Sequence, residues 1–515
     1  MSRKSIARLG AGYSQGERPL RVFKFGGTSV GDASCILKVA DIIRAAASES
    51  DLVVVVSAMA GVTNQLVGAA VLAENGNEKA VTDVLKLLRQ QHDVALQTTI
   101  QSSDEKSRIA CKMNELFEEG DRLCKGTTLL RELTPRVRDS ISSLGERLSV
   151  LLVAAALREH GVTAEAIEAS ELVVTDSSHG AADPWLDLTR GRCHDRLLPV
   201  LKRGAVPVIT GFIGATAEGV LTTLGRGGSD YSATILGAAL DADEVVIWTD
   251  VDGLLTADPR LVPEARTISE VSYREAMELA YFGAKVLHPK TLRPVLQRGI
   301  PLRIRNTFFP ENPGTKITPE GAPNGSTVTA LTAVSDAALI TVGGPGIAGV
   351  PDVLGRALAI TRELRADVLL VSQSSSQNET CLVVPSSLAR QTVEELRREF
   401  AQDLAYEKVE HIAIDATVSI VTVVGQKIRG MSGVVGRAFC SLGRVNIDTI
   451  ATAHGASECK FSFVVPKKDM QAALAAIHAE FRLGALTSPD VTEADFGRRP
   501  CAVSQASPIC SVSAD

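Results

Sequence analysis

Leu20-Arg21-Val22-Phe23-Lys24-Phe25-Gly26-Gly27-Thr28-Ser29-Val30 passes from a mostly apolar run straight into a glycine pair. Directly after it, Ile36, Val39, Ala40 and Ile43 recur at i, i+3, i+4 and i+7, so the glycine turn feeds a helix. A buried strand, a glycine turn and a helix in that order begin a mostly parallel sheet with helices on both faces. The runs Leu52 to Val56, Val206 to Phe212, Glu244 to Thr249 and Leu302 to Asn306 read as further buried strands alternating with helical patterns. The stretch from Lys79 to Arg138 is more polar and reads as helices covering one edge. The resulting fold class is α/β, a three-layer αβα arrangement.

Length and composition agree with this. The 515 residues are 45% hydrophobic and 22% charged, enough for several domains with real cores. A net charge of −6 gives no general attraction for nucleic acid or anionic membrane, whose binding needs clustered Lys and Arg. Nine cysteines without a C-x-x-C pair argue against a disulfide framework or a zinc site, so no protein-held metal is expected and the compartment is read as reducing. The apolar run Leu148 to Leu157 is about half of a bilayer span, and the polar N-terminus lacks a signal-peptide core. The expected location is cytoplasmic.

Residues 1–19 and 490–515 read as disordered tails around a domain at 20–315, and the Pro- and Gly-rich stretch from Glu311 to Ser326 reads as a linker. An internal repeat follows. An offset of 81 residues carries Ile340 to Val421, Val353 to Val434, Gly355 to Gly436 and Val383 to Val464. Each unit, 330–405 and 411–485, reads strand, glycine loop, helix, strand, turn, strand. Such a sheet is too small to bury its own face, so the two copies are expected to pack together.

Two glycine clusters carry chemistry. At Lys24-Phe25-Gly26-Gly27 a strand ends, a helix begins, and a lysine stands beside amides that can approach an anion. At Thr223-Leu224-Gly225-Arg226-Gly227-Gly228-Ser229-Asp230 the arrangement recurs with Arg226 as its cation. Either turn alone would read as structural. Two anion-friendly turns at one end of a parallel sheet are what a kinase needs to hold a nucleotide tail and an acceptor in line.

Four stretches together resemble the aspartokinases: Lys24 to Val30, Leu224 to Ala233, Trp248-Thr249-Asp250-Val251-Asp252-Gly253, and Phe282-Gly283-Ala284-Lys285-Val286-Leu287-His288-Pro289. The resemblance implies an amino-acid-kinase fold followed by two ferredoxin-like α+β ACT modules. It implies phosphorylation of L-aspartate by ATP and Mg2+ to 4-phospho-L-aspartate, the first step toward lysine, threonine and methionine, with feedback by an end product. Carried over residue by residue, Lys24 and Asp230 are catalytic, and Lys24, Gly26, Gly27, Thr249, Asp250, Arg260 and Lys285 hold ATP, the glycines through their amides. Ser57, Thr63, Glu146 and Arg226 hold the amino acid. The last two suit its ammonium and a carboxylate. Relatives carry an aromatic residue where this chain has Leu255, which leaves an adenine-side aromatic contact open. His288 is read as structural, because phosphorylating an already ionised carboxylate needs no histidine.

The same resemblance places an effector at Gly346, Ile347, Val350, Asp352, Leu369 and Gln373. Leu369 stands where lysine-inhibited relatives carry an acid, and the Ser372-to-Gln377 wording resembles threonine-inhibited ones, so threonine is favoured. Inward-turned Asp352 or Asp367 would favour lysine instead. Lys427 and Arg429 set the second repeat apart as structural. A homo-oligomer, at least a dimer, is expected from the sheet edges of the repeat. Two competing readings stay open: a kinase for glutamate or N-acetylglutamate, and an amino-acid sensor with an inactive kinase domain. Some relatives continue into a homoserine dehydrogenase, and a single catalytic activity is expected here.

Overall fold

The computed structural model describes residues 18–281, 287–322, 327–344, 350, 352–374, 378–426, 428, 431–454 and 459–484. The expected tails lie outside these, apart from Arg18 and Pro19. The chain forms two compact units. The first runs to Leu255 and resumes over Thr267–Thr329, and the second comprises Thr256–Arg266 and the chain from Ala330 onward.

In chain order the first unit contains β1 (Leu20–Phe25), α1 (Ala33–Ala47), β2 (Asp51–Val56), α2 (Val62–Glu74), α3 (Glu78–Thr99), α4 (Ser103–Leu130), α5 (Pro135–Glu159), β3 (Ala164–Ile167), α6 (Leu186–Lys202), β4 (Val206–Thr210), β5 (Ile213–Ala215), β6 (Leu221–Thr223), α7 (Gly228–Leu240), β7 (Glu244–Thr249), β8 (Glu270–Ser272), α8 (Tyr273–Tyr281), α9 (Pro289–Arg298), β9 (Leu302–Asn306) and β10 (Thr315–Thr318). The main sheet has eight strands in the order β3-β4-β2-β1-β7-β9-β10-β8. Only the β9–β10 pair is antiparallel. Central strands such as β2, buried at all but its first residue, are continuous apolar runs because helices cover both faces.

Local chemistry sets the helix starts. Asp32 accepts from Cys35 N–H at 2.9 Å to cap α1, and Thr134 with Pro135 opens α5. α5 runs through the main core beside α1 and α2, with Ile141, Leu144, Leu148, Leu152 and Val153 buried. Among the described residues it is the one helix long and apolar enough to cross a membrane. Within its most apolar 18-residue window, wider than the run at Leu148 to Leu157, 89% is buried inside the fold.

The stretch read as a linker supplies β10, which pairs Thr315 with Ile304. Thr315 and Ile317 alternate inward between half-buried Lys316 and Thr318, a period-2 pattern that the surrounding prolines and glycines obscure. β3 was equally hidden, because Ala-Glu-Ala-Ile has the composition of a helix.

The second unit contains β11 (Ala330–Gly343), α10 (Val353–Glu363), β12 (Leu370–Gln373), β13 (Glu379–Pro385), α11 (Ser386–Glu399), α12 (Ala401–Ala405), β14 (His411–Val424), α13 (Val434–Arg444), β15 (Ala451–Ala453), β16 (Lys460–Pro466) and α14 (Met470–Glu480). The 81-residue offset maps β11 onto β14, α10 onto α13 and β13 onto β16. The copies join in one six-stranded sheet, β12-β13-β11-β14-β16-β15. β11 and β14 are long enough to serve both copies. Ile340 to Gly343 pairs with the first part of β14, and Ala330 to Val334 pairs with its last part, with the register shifting between. Each copy therefore takes an edge from the other, and the division between them runs along these strands. Ala337, Leu339, Leu370, Val383, Val418, Ile420 and Val464 form a core to which both copies contribute.

Candidate active site

Strand register brings the candidate residues to one edge. Phe25 pairs with Val56 and with Trp248, and Val56 pairs with Thr210. Gly26, Ser57, Gly211 and Thr249 therefore emerge side by side from four adjacent parallel strands. This carboxyl edge is where open α/β sheets bind ligands. Beneath it, Trp248 stacks on Phe25 at 5.9 Å and meets Phe23 edge-on at 5.8 Å, fixing the ends of β1 and β7.

Lys24 is nearly buried, and its Nζ lies 2.5 Å from Oδ1 of Asp230 in the first turn of α7. The two charges touch without an aligned hydrogen bond, and Oδ1 is buried with no other donor among the described residues. Gly26 does not offer its amide as expected. Its N–H donates to Trp248 O at 3.0 Å, which locks the turn onto β7. A Cβ there would stand in ordinary contact, 3.5 Å from Lys24 Nζ. The Gly27 N–H has no partner among the described residues and fits the anion role.

Glu146 enters from α5. It is 3% exposed, and burial pushes its carboxyl up to about 8, against the opposing pull of the Ala58 backbone N–H and the Lys24 charge. Oε2 has no partner among the described residues. The preceding residue makes this approach possible: a Cβ at Gly145 would stand 2.7 Å from Ala58 Cβ, so only glycine lets α5 close on the loop after β2. That loop holds Ser57, whose N–H donates to Phe25 O at 3.1 Å. Thr63 sits in the first turn of α2.

Arg226 is exposed on the turn before α7, between Gly225 and Gly227, both with positive φ. His288 caps α9, its Nδ1 accepting from Lys290 N–H at 3.2 Å. Burial lowers its pKa, assisted by the charges of Arg226 and Lys290. Thr249 Oγ1 donates to Asp250 Oδ1 at 3.2 Å on the exposed end of β7.

Lys24, Gly27, Asp230, Glu146 and Ser57 thus come together with a cation, an open amide and a buried acid. Arg260 is exposed. It pairs with its own neighbour Asp258 at 2.6 Å in the Thr256–Arg266 segment, which belongs to the second unit. There Thr256 Oγ1 meets His478 Nε2 at 3.0 Å and Arg266 Nε donates to Leu483 O. Lys285 lies outside the described residues, as do Gly346 and Ile347 of the effector set. Of the rest, Val350 is buried in the core under α10, and Asp352 caps α10 by accepting from Gly355 N–H at 3.2 Å. Leu369 packs on the core shared by the two copies, and Gln373 is exposed on β12. No hydrogen bond among the described residues joins these four.

Sequence reading passed over Gly145 and Asp139. The available signal for Asp139 was its seven-residue spacing from Glu146, which places both on one face of α5.

Residues 19–306 match the amino acid kinase family and residues 421–481 match an ACT domain. The bifunctional aspartokinase/homoserine dehydrogenase 1, chloroplastic, of Arabidopsis thaliana is 34% identical over 472 residues, which are 90% of this chain and 51% of that protein. The chain spans about half the length of the bifunctional relatives it matches. Aspartokinase 1, chloroplastic, of the same plant is 31% identical, covering 89% of this chain and 80% of its own length. Among solved structures, E. coli aspartokinase III in complex with aspartate and ADP is similar with a TM-score of 0.73 at 29% identity, over 90% of this chain and 99% of that one. The same enzyme in complex with lysine and aspartate gives 0.75 at 29% identity, with the same coverage.

Proposed function

The chain belongs to the amino acid kinase family and, within it, to the aspartokinases, and on that premise we propose that it transfers the γ-phosphoryl group of ATP to the side-chain carboxylate of L-aspartate, giving ADP and 4-phospho-L-aspartate. The observation that carries this is the juxtaposition of the Lys24–Asp230 pair with the buried Glu146 at the carboxyl edge of β1. The acceptor carboxylate has an ordinary pKa of about 3.9 and is already ionised, so no base is required. The protein's task is to neutralise charge and to align the reacting groups.

Lys24 meets the charge that develops on the transferring phosphoryl group, and the open Gly27 amide holds a phosphate oxygen. Glu146, held neutral by burial, ionises when the acceptor's ammonium reaches it. Arg226 grips the acceptor's α-carboxylate through a guanidinium fork. Thr249 and Asp250 suit the nucleotide's sugar and base side by position. Mg2+ fits the same edge: Oδ1 of Asp230 is buried without an aligned donor, and no cluster of three metal-ligating side chains occurs among the described residues. A cation held mainly by nucleotide phosphates and one carboxylate matches its coordination habits. When bound, it neutralises β- and γ-phosphate charge.

The second unit is assigned to feedback by an amino acid, with threonine favoured over lysine. Leu369 offers no charge to a lysine side chain, and the Asp352 carboxylate is engaged in capping α10. A homodimer or larger homo-oligomer is proposed from the apolar residues left exposed on this unit, among them Ile414, Phe439 and Ile450. A reducing, cytoplasmic location suits the buried free thiols of Cys35, Cys124 and Cys193.

The test is to incubate the protein with ATP, Mg2+, hydroxylamine and each of aspartate, glutamate and N-acetylglutamate. Hydroxylamine traps an acyl phosphate as a hydroxamate. Aspartate is expected to give the signal, and a signal with either alternative but not with aspartate overturns the assignment.

A further inference from the structure

Two turns of helix before Glu146, α5 carries a second buried acid. The Asp139 side chain is 3% exposed, and the four hydrogen bonds to its carboxylate come from three residues in two segments. From β6, the Thr223 hydroxyl donates to Oδ1 at 2.6 Å and the Thr223 N–H to Oδ2 at 3.2 Å. From the Asp176–Pro184 loop, the Gly180 N–H reaches Oδ2 at 3.1 Å and His179 Nδ1 lies 2.8 Å from it.

Those two segments build the seat of Arg226. Thr223 is the last residue of β6, three positions before it. The loop closes over the turn, with Ala182 N–H donating to Thr223 O at 2.9 Å. A Cβ at Gly225 would come within 2.8 Å of Gly180 O, so loop and turn are in direct contact. The far end of the loop is tied down as well: Asp183 pairs with Lys290 at 2.8 Å, and Lys290 lies 5.4 Å above the Tyr231 ring in α7.

We propose that Asp139 is a positioning residue that sets the spacing between Glu146 and Arg226, and with it the grip on the amino-acid acceptor. It touches neither substrate. One rigid helix carries Glu146 for the ammonium and, two turns earlier, the carboxylate that anchors the Arg226 turn. The distance between the two recognition groups is thereby fixed through a single element, and none of the bonds to the Asp139 carboxylate comes from Lys24, Gly27, Thr249 or Asp250. This rests on the acceptor roles given to Glu146 and Arg226 above.

The experiment compares KM for acceptor and for ATP in wild type, Asp139→Ala and Thr223→Val, using whichever acceptor the wild type phosphorylates. A wild-type preference for an acceptor other than aspartate would count against the proposed substrate, while the ratio of variant to wild-type KM still tests Asp139. Asp139→Ala is expected to raise the acceptor KM about tenfold or more, because the Thr223 hydroxyl and N–H and the Gly180 N–H all lose their acceptor, while ATP KM stays within about twofold. Thr223→Val removes one bond and leaves α5 intact, so it carries the test if Asp139→Ala does not fold. Its acceptor KM is expected to rise about threefold with ATP KM unchanged. If the two KM values move together, or if neither moves in a folded variant, Asp139 is a structural acid and the proposal fails.

Discussion

Lys24 and Asp230 stand 2.5 Å apart, and under the proposed phosphoryl transfer removing either alters the charge that meets the transferring group. Lys24→Ala and Asp230→Ala are each expected to lower kcat by about a hundredfold or more, on the order of 3 kcal/mol, with the fold retained. Steady-state kinetics beside a thermal melt check this, and near wild-type kcat in either variant contradicts the roles. Glu146 yields a prediction of a different kind. Its carboxyl titrates near 4.5 when unfolded and is raised to about 8 in the fold. Between those values the folded chain keeps a proton that the unfolded chain has lost, so stability falls as pH rises through this window and levels off above it. Glu146→Gln removes that dependence. Its melting temperature should match wild type at pH values below 4.5 and exceed it most above about 8; a constant difference across the range would mean that Glu146 is not held neutral. Asp230 and Glu146 differ in how far sequence could reach them. Lys24 and Asp230 sit in glycine turns whose wording carries their chemistry. The burial that raises Glu146 depends on α5 packing against the loop after β2, a contact with no local signature.

At the scale of elements, α5 does most to assemble the site, because it is at once the core helix and the carrier of Glu146. Its approach to the loop after β2 depends on Gly145. Gly145→Ala places a methyl group 2.7 Å from Ala58 Cβ, and overpacking of that kind costs about 1–3 kcal/mol. Urea unfolding should show a lower midpoint with an unchanged slope, together with a raised acceptor KM, and wild-type stability would mean that the helix can shift at no cost. The strands of the carboxyl edge were legible from their apolar runs, since β7 and β9 occupy the stretches read for them. β10 was not, because two alternating inward residues among prolines and glycines resemble a linker until a neighbouring strand is present to pair with them. The Gly26 amide illustrates the same limit. A glycine turn announces that an amide can approach an anion, and only the position of β7 decides that this one is engaged with Trp248 O.

At the scale of the molecule, the 81-residue repeat announced two copies that must pack together, and they share one sheet through β11 and β14. That the copies exchange strands was not legible, because the offset equates the two long strands without saying what each half pairs with. The apolar residues left exposed on this unit lead to an expectation of association: sedimentation velocity should give a dimer or larger species at working concentration, and monomer alone, with or without effector, contradicts it. Calorimetric titration is expected to detect threonine, and tight binding of lysine with none of threonine would reverse the effector assignment. The activity itself is read from the bond that is made. Wild-type protein is incubated with ATP, Mg2+, L-aspartate and hydroxylamine, and the trapped product is identified by mass spectrometry and chromatography against authentic standards. The expected product is the β-hydroxamate of aspartate, formed in step with ADP and absent with Lys24→Ala; ADP release without hydroxamate, or a hydroxamate on the α-carboxylate, would contradict phosphoryl transfer to the side-chain carboxylate.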